Sequence, residues 1–357
     1  MGTPEEPPRP TILSSRSAFR VPRSEFVKVG ILSFAHQHAN GYAECLHRLP
    51  GVELVAIADD DPGRGRRAAE RFGADFHQDY RELLARPEIA AVLVCSANAH
   101  HREMTVAAAA ARKHVLCEKP LATTRPDALA MIEACREQGV MLGTAFYVRF
   151  SPPVLALREA LAAGAVGAPL AVMATNPGTV QSGWFVDPQL AGGGATIDHT
   201  VHVADLLRWL LGREIVRVYA EIDTRISPGL PVDDIGVLML DLEGGLPASL
   251  DASWEKPKSW PIWGGLTIDV IGDRGAIAMD AFRQNLQRFD NRGPQYRLVP
   301  WAEGGDAGLI AAFVEAVRTG TPFPVTGEDG LKALEVALCA YESARRREPV
   351  ACPDALP

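Results

Sequence analysis

The chain has 357 residues, of which 47% are hydrophobic and 22% charged, a composition typical of a globular protein with more than one domain. Its net charge of −8, from 36 Lys and Arg against 44 Asp and Glu, and the absence of a long basic run argue against a nucleic-acid binder. No apolar stretch reaches the ~20 residues of a membrane span. The six cysteines include no CxxC pair, which argues against a zinc or redox motif and fits a reducing cytoplasm.

Residues 1–25 are rich in proline and polar side chains and lack the apolar segment of a secretory signal, so we expect a disordered tail. From residue 26 onward, short apolar strands alternate with helices, which is typical of a parallel sheet covered on both faces. The sequence therefore predicts a Rossmann domain over 26–150. The predicted strands are Phe26–Leu32, Val52–Ala58, Ile89–Cys95, His114–Cys117 and Val140–Phe146. The predicted helices are Ala39–Leu49, Arg64–Phe72, Tyr80–Ala85, Arg102–Arg112 and Asp127–Gln138.

The pattern changes after residue 150, where longer strands alternate apolar and polar residues between glycine-containing turns. This pattern predicts an α+β domain over 151–350 with a large, mostly antiparallel open sheet, so the chain as a whole belongs to the α/β class. The predicted strands are Leu170–Thr175, Ile215–Ile222, Asp234–Leu242, Ala248–Glu255, Leu266–Gly272 and Ala276–Asp280. The predicted helices are Ala195–Leu211, Leu309–Arg318 and Leu331–Arg345.

The turn after the first strand is the usual place for a dinucleotide fingerprint, in which glycines bring main-chain N–H groups close to a pyrophosphate. Here the glycines are absent, although the small residues Ser33 and Ala35 permit a tight turn. Either His36 or His38 is a candidate phosphate contact. The predicted cofactor contacts in this turn are Ser33, Phe34, Ala35, His36 and His38.

Asp59 follows the second strand, where an acidic side chain can accept hydrogen bonds from the adenosine ribose hydroxyls and repel a 2′-phosphate. Asp60 and Asp61 add negative charge, so NAD is favoured over NADP, with Arg64 as the opposing feature. An ordinary turn at the end of a strand is the alternative.

Lys119 follows the fourth strand, and Pro120 biases it away from helical geometry. A lysine at this edge of the sheet can hydrogen-bond the hydroxyl that is oxidised and stabilise negative charge on its oxygen. The alternative is an ordinary solvated loop lysine.

Glycines 192–194 precede a strong helix and would let the main chain approach a ligand closely. Asp198 and His202 lie four residues apart on one face of that helix, as a proton-handling pair would. A metal pair and a purely structural pair are the alternatives. Since no third ligand stands at local spacing, no metal site is predicted.

These motifs together resemble the glucose–fructose oxidoreductase / inositol dehydrogenase / MocA family. The similarity extends from residue 26 to about 349 and includes Tyr147–Phe150, Trp184–Phe185 and 327–331. The resemblance implies an NAD(P)-binding Rossmann domain, a C-terminal domain with an open sheet, and a homodimer or homotetramer built on the exposed face of that sheet. The turn over 33–38 departs from the family pattern and bears on how the cofactor is held.

The resemblance also implies roles for individual residues. Lys119 matches the catalytic lysine, while Asp198 and His202 match the positions that hold and deprotonate the substrate hydroxyl. Glu118 matches the residue beside the nicotinamide ribose. The segment that lies along the cofactor is matched by Ser96, Asn98 and His101.

The leading hypothesis is reversible hydride transfer between NAD and a ring carbon of a sugar, a sugar derivative or an inositol. Arg149 and Trp184 are predicted walls of the substrate pocket. A second hypothesis is an NAD-dependent glycoside hydrolase or eliminase that oxidises its substrate transiently. A third is a sugar-responsive regulator without catalysis, although such a protein would be expected to lack the lysine or the histidine. The expected partner is a small polyol, with no nucleic acid and no membrane.

Overall fold

A computed structural model of the protein describes residues 26–260, 262, 264–283, 285–289, 296–300 and 304–353. The tail predicted over 1–25 lies outside the described residues. Among those described, none of the helices combines the length and the apolar character needed to cross a bilayer.

The first half of the chain folds into a six-stranded parallel sheet with helices on its faces, as predicted. Its strand order is β3-β2-β1-β4-β5-β6, and every neighbouring pair is parallel. β3, a three-residue edge strand with polar ends, was not predicted from the sequence. The strands are β1 (Val27–Leu32), β2 (Val52–Ala58), β3 (Asp75–His77), β4 (Ala91–Val94), β5 (His114–Cys117) and β6 (Leu142–Thr144).

The helices between these strands begin at recognisable caps. Asp61 accepts the N–H groups of Gly63 and Arg64, and Thr124 accepts that of Asp127, so unpaired donors at two helix starts are satisfied by side chains. Since the strands are parallel, the loops that leave their carboxyl ends meet along one edge of the sheet. The helices are α1 (His38–Arg48), α2 (Pro62–Phe72), α3 (Tyr80–Leu84), α4 (His101–Ala110) and α5 (Arg125–Gln138).

The second half contains a seven-stranded sheet of order β12-β11-β7-β10-β9-β8-β15. Only β7 and β10 pair in parallel, so the predicted mostly antiparallel sheet is confirmed. A separate hairpin pairs β13 with β14. The strands are β7 (Pro169–Thr175), β8 (Ile215–Asp223), β9 (Ile235–Leu242), β10 (Leu246–Asp251), β11 (Thr267–Gly272), β12 (Gly275–Asp280), β13 (Asn285–Phe289), β14 (Tyr296–Pro300) and β15 (Val350–Ala351).

The helices of the second half pack against both sheets. The last two return to the first half, where α9 packs on α1 and α10 packs on α5 and β6. The N–H of Thr144 in β6 donates to the carbonyl of Val325 at 3.0 Å, which fixes this return. One apolar core therefore runs through both halves. The helices are α6 (Pro152–Ala162), α7 (Pro188–Ala191), α8 (Ala195–Leu211), α9 (Gly305–Thr319) and α10 (Gly327–Arg346).

Candidate active site

Lys119, at the end of β5, and Asp198, in the first turn of α8, form a buried ion pair. The Lys119 Nζ donates to the main-chain carbonyl of Asp198 at 3.2 Å and also contacts the Oδ1 of its carboxylate. Lys119 is 2% exposed, and its peptide bond to Pro120 is cis. Burial alone would raise the pKa of Asp198, but the charges of Lys119 and His199 outweigh it and hold that pKa well below its usual range. The carboxylate is therefore ionised and orients the ammonium group.

His202 lies one helical turn after Asp198 in the same buried region. Burial, and then the positive charge of Lys119, lower its pKa well below the ordinary value of 6.5. Its Nδ1 is buried without a hydrogen-bond partner in the described part of the chain, and its ring packs edge-on against Phe146 and Tyr147. His202 is consequently a neutral imidazole with a free nitrogen, as a proton acceptor requires.

The predicted pairing of Asp198 with His202 is replaced by a different contact. The Oδ2 of Asp198 lies 3.3 Å from the Nε2 of His199, whose Nδ1 contacts the carbonyl of Asn176. His199 was not predicted as a site residue, because neighbouring residues on a helix point about 100° away from each other. The aspartate thus joins the lysine and His199, and leaves His202 unpaired.

The turn after β1 forms without glycine because Ser33 adopts the left-handed conformation, with a φ of 72°. Its Oγ accepts the N–H of Ala35 at 3.1 Å, and the N–H of Phe34 donates to the Oδ2 of Asp59 at 2.7 Å. The side chain that supports the turn therefore belongs to the predicted ribose-binding residue.

Asp59 is 2% exposed, and its carboxylate is also held by Arg64. The Nε and Nη2 of Arg64 lie 2.9 and 2.7 Å from the two carboxylate oxygens, and the same Nη2 contacts Asp60. Arg64, which the sequence offered as an argument against the preference for NAD, thus forms a direct ion pair with Asp59. This pair neutralises much of the negative charge at the end of β2.

His36 and His38 both turn toward Glu118. The Nδ1 of His38 lies 3.1 Å from the Oε1 of Glu118, and the Nδ1 of His36 lies 3.9 Å from the same oxygen. Burial lowers the pKa of His36 to about 3. For His38 burial acts in the same direction, but the Glu118 carboxylate outweighs it and raises the pKa. Burial opposes ionisation of Glu118, yet the two histidines lower its pKa below the usual range.

The arrangement suits a dinucleotide. Several features for binding it lie at or beside the carboxyl edge of the parallel sheet. They are the glycine-like backbone conformation at Ser33, the acidic residue that follows β2, and the buried, unpartnered polar atoms Asn98 Oδ1 and His202 Nδ1.

The sequence model of an oxidoreductase family with an NAD-binding Rossmann fold matches residues 25–146, and that of the GFO/IDH/MocA C-terminal domain matches 154–278.

The chain belongs to the GFO/IDH/MocA family. A myo-inositol 2-dehydrogenase of Thermotoga maritima is 31% identical over 87% of this chain and 94% of its own length. A D-apiose dehydrogenase of Paraburkholderia graminis is 26% identical over 95% and 92%. Among solved structures, GenD2 from gentamicin A biosynthesis in complex with NAD has a TM-score of 0.86, 27% identity, and coverage of 96% of this chain and 99% of its own. The predicted resemblance, the NAD cofactor and the NAD(P)-dependent dehydrogenase class acting on CH–OH groups are confirmed.

Arg149 and Trp184, which were predicted to line the substrate pocket, make hydrogen bonds within the protein. The Arg149 guanidinium forms a buried bidentate ion pair with Asp205, and its Nη1 donates to the carbonyl of Pro324 at 3.1 Å. The Nε1 of Trp184 donates to the carbonyl of Ala35 at 3.1 Å. Arg149 therefore ties α8 to the segment before α10, and Trp184 covers the turn after β1.

Three predicted cofactor contacts also bond within the protein. His101 is fully buried, with ring nitrogens 3.0 and 3.3 Å from the carbonyls of Pro120 and Ser96. The Ser96 hydroxyl donates to the carbonyl of Ala97, and the Nδ2 of Asn98 donates to that of Ala191. These contacts favour a positioning role for His101 and Ser96, while Asn98 keeps an unpartnered oxygen.

The glycine run before α8 approaches protein atoms rather than open space for a ligand. A Cβ at Gly193 would overlap the hydroxyl of Tyr341, and one at Gly194 would overlap the main chain of Asp233. The carboxylate of Asp233 accepts the N–H groups of Gly194 and Thr196 at 2.9 and 2.8 Å. The glycines therefore fix where α8 begins, which corrects the expected ligand approach.

Proposed function

We propose that this enzyme oxidises a CH–OH group at a ring carbon of a sugar, a sugar derivative or an inositol, with NAD as the acceptor. The observation that carries the proposal is the buried pair of Lys119 with Asp198, beside the neutral, unpaired imidazole of His202. The names of relatives support the substrate class, since they include a myo-inositol 2-dehydrogenase and a levoglucosan dehydrogenase solved with NADH and levoglucosan.

Each of the three residues has one task in the proposed reaction. Bound NAD supplies the acceptor for the hydride that leaves the substrate carbon. Lys119 donates a hydrogen bond to the reacting oxygen and stabilises the negative charge that develops there. His202 accepts the hydroxyl proton at a ring nitrogen, for which it must be neutral. Asp198 is a positioning residue that holds the ammonium group.

The cofactor would be held at the turn over 33–38 and at the end of β2. Asp59 would accept hydrogen bonds from ribose hydroxyls, which favours NAD, while Asn98 offers an unpartnered Oδ1 and Glu118 directly precedes Lys119. Because Arg64 pairs with Asp59, the preference for NAD over NADP depends on how that pair is arranged around the ribose.

We further propose that the seven-stranded sheet forms the contact between subunits of a homodimer or homotetramer. Its inward-facing residues alternate with exposed ones, and register places Met239 beside Tyr219 on the outer face. An exposed apolar surface of this kind on a regular sheet is typical of a protein contact. Its large exposed side chains include Met173, Val237, Met239 and Ile271.

We place the enzyme in the cytoplasm, since none of its six cysteines forms a disulfide.

The test is a screen of inositols, monosaccharides and anhydrosugars with NAD or NADP, following NADH or NADPH formation. We expect one class of polyol to support turnover that Lys119→Met lowers at least ~100-fold and that Lys28→Met, at the opposite end of the sheet, leaves unchanged. Glycoside cleavage without added cofactor by a protein that retains NAD would favour the hydrolase or eliminase hypothesis instead. Polyol binding with no hydride transfer to either cofactor would favour the regulator.

A further inference from the structure

Three side chains near the start of α1 and the end of β5 form a compact set of metal-binding groups. His36, His38 and Glu118 each offer one nitrogen or oxygen, and these atoms lie within 4.8 Å of one another. The two histidine Nδ1 atoms are 3.9 and 3.1 Å from the Oε1 of Glu118. Ligands bound to a tetrahedral zinc ion at about 2.0–2.1 Å stand roughly 3.3 Å apart, so the His38–Glu118 separation fits such a site and His36 would move about 0.6 Å closer to Glu118.

The donor atoms suit a particular class of ion. Two imidazoles and one carboxylate select Zn²⁺ and similar first-row divalent ions over Mg²⁺ and Ca²⁺, which prefer all-oxygen sites. The Nδ1 of His36 accepts the N–H of His38 at 3.2 Å, so an ion bound at this nitrogen would replace that hydrogen bond. Three protein ligands would leave a fourth position for water or another ligand.

The surroundings hold the three groups in place. The ring of His36 lies 5.2 Å from that of Phe185, and the ring of His38 lies 5.4 Å from that of Tyr147. Packing of this kind restricts ring rotation around a metal site. The buried Tyr42 hydroxyl stands beside Glu118.

The nearest positive charge does not prevent cation binding. Lys119 follows Glu118 directly in the chain, but its ammonium group is paired with the carboxylate of Asp198. Glu118 itself is 1% exposed, and as a buried carboxylate it requires a compensating charge or hydrogen bonds. Its Oε2 already accepts the N–H of Lys119 at 3.0 Å, and its Oε1 lies 3.1 Å from the Nδ1 of His38, where a divalent ion would take the place of a proton.

We propose that His36, His38 and Glu118 bind a divalent transition-metal ion of the Zn²⁺ class, at the turn that replaces the glycine-rich cofactor turn. The sequence predicted no metal site, since local spacing cannot pair ligands that are 80 residues apart, as His38 and Glu118 are. Because these residues also belong to the proposed cofactor site, the ion would share the turn over 33–38 with the dinucleotide, and its binding does not depend on the identity of the polyol substrate.

The test uses the full chain without a histidine tag, treated with EDTA and then dialysed. Cobalt(II) chloride is titrated in while visible absorption is followed, since low-coordinate Co²⁺ with nitrogen and oxygen ligands absorbs strongly. We expect saturation at one ion per chain and displacement by Zn²⁺. Loss of groups that only orient ligands weakens metal sites about 10–100-fold, so we expect His38→Ala and Glu118→Gln to weaken binding by more than ~100-fold.

The matched control is His77→Ala. His77 also faces a glutamate, with its Nδ1 3.3 Å from the Oε2 of Glu82, but that exposed pair has no third ligand within reach among the described residues. Its variant should bind Co²⁺ as the wild type does. X-ray absorption at the zinc edge of the wild-type protein tests the site even where a variant does not fold, and should show two imidazole ligands. No stoichiometric binding, or binding that survives both ligand substitutions, would overturn the proposal.

Discussion

The ammonium group of Lys119 donates to the main-chain carbonyl of Asp198 while it pairs with the carboxylate of the same residue. The two residues are 79 positions apart, one after β5 and the other in the first turn of α8. Because both are buried, the pair joins the parallel sheet to α8 and fixes the direction of the ammonium group. Structure and proposed chemistry therefore depend on the same contact, and variants can separate the two.

Lys119→Met should lower turnover roughly 10²–10⁴-fold, the usual effect of losing one acid–base group. It should also lower the free energy of unfolding by about 3–5 kcal/mol, because the buried carboxylate of Asp198 loses its charged partner. The double variant Lys119→Met, Asp198→Leu should recover much of the stability and none of the activity. Urea unfolding and steady-state kinetics measure the two effects, and activity regained with stability would contradict the proposed role.

The lowered pKa of His202 predicts two pH effects. Activity that requires the neutral ring should persist as the pH falls through about 6.5. Stability, in contrast, should decrease as the pH falls. Below a pH of about 6.5 the unfolded chain takes up a proton on this histidine and the folded protein does not, so acidification favours unfolding. His202→Asn should therefore show a shallower loss of stability with falling pH than wild type or the control His77→Asn. Equal slopes in urea unfolding would argue against a buried neutral ring.

Asp59→Ala should shift the cofactor preference toward NADP by about 10–100-fold in the ratio of kcat/KM values. The substitution removes the carboxylate that would repel a 2′-phosphate and releases Arg64 to bind one. Asp60→Ala is the control, since that exposed carboxylate also contacts Arg64. An unchanged ratio in Asp59→Ala would mean that the ribose is bound elsewhere.

Met239→Glu should break the proposed subunit contact, because it places a charge on the exposed apolar face of the seven-stranded sheet. Analytical ultracentrifugation should show a smaller species than the wild type. Leu155→Glu, an equally drastic change at an exposed leucine of α6, should leave the assembly intact. A wild-type monomer at assay concentration would remove the basis of this prediction.

Gly194→Ala should destabilise the protein by about 1–3 kcal/mol or more, because the added methyl overlaps the main chain of Asp233, which cannot move aside easily. Gly304→Ala is the control, with a φ of −66° and open space around it. Thermal unfolding distinguishes them, and comparable melting temperatures for the two variants would show that the start of α8 can shift.

Much of the fold was predictable because it rests on local patterns. The boundaries of β2, β5 and α8 agree with the predicted ones, since each is a continuous apolar or amphipathic segment with clear ends. α6 was not among the predicted helices, because it begins with Pro152 and Pro153 and proline usually interrupts a helix. They stand at the first positions of the helix, where proline needs no N–H partner.

The site was predictable only in part. Lys119 and Asp198 could be assigned to one site, because Lys119 follows a strand at the carboxyl edge of the sheet and both residues match the family pattern. The partners of side chains that are far apart in the sequence could not be predicted. Arg149 is an example, because its partner Asp205 is 56 residues away and nothing in local spacing pairs them. Similarly, His36 and His38 were predicted as phosphate contacts. Their common contact with Glu118 could not be predicted, because Glu118 is about 80 residues away in the sequence.

The return of α9 and α10 to the first half has a mechanical consequence. If the chain passed between the halves only near residue 150, one flexible hinge would let them swing apart around the cofactor cleft. The chain instead returns to the first half with α9, and the hydrogen bond from Thr144 to Val325, between α9 and α10, closes that second connection. The two connections and the shared core restrict such a hinge motion. Entry of the dinucleotide should therefore rely on shifts of loops, and the two halves should unfold as a single cooperative unit.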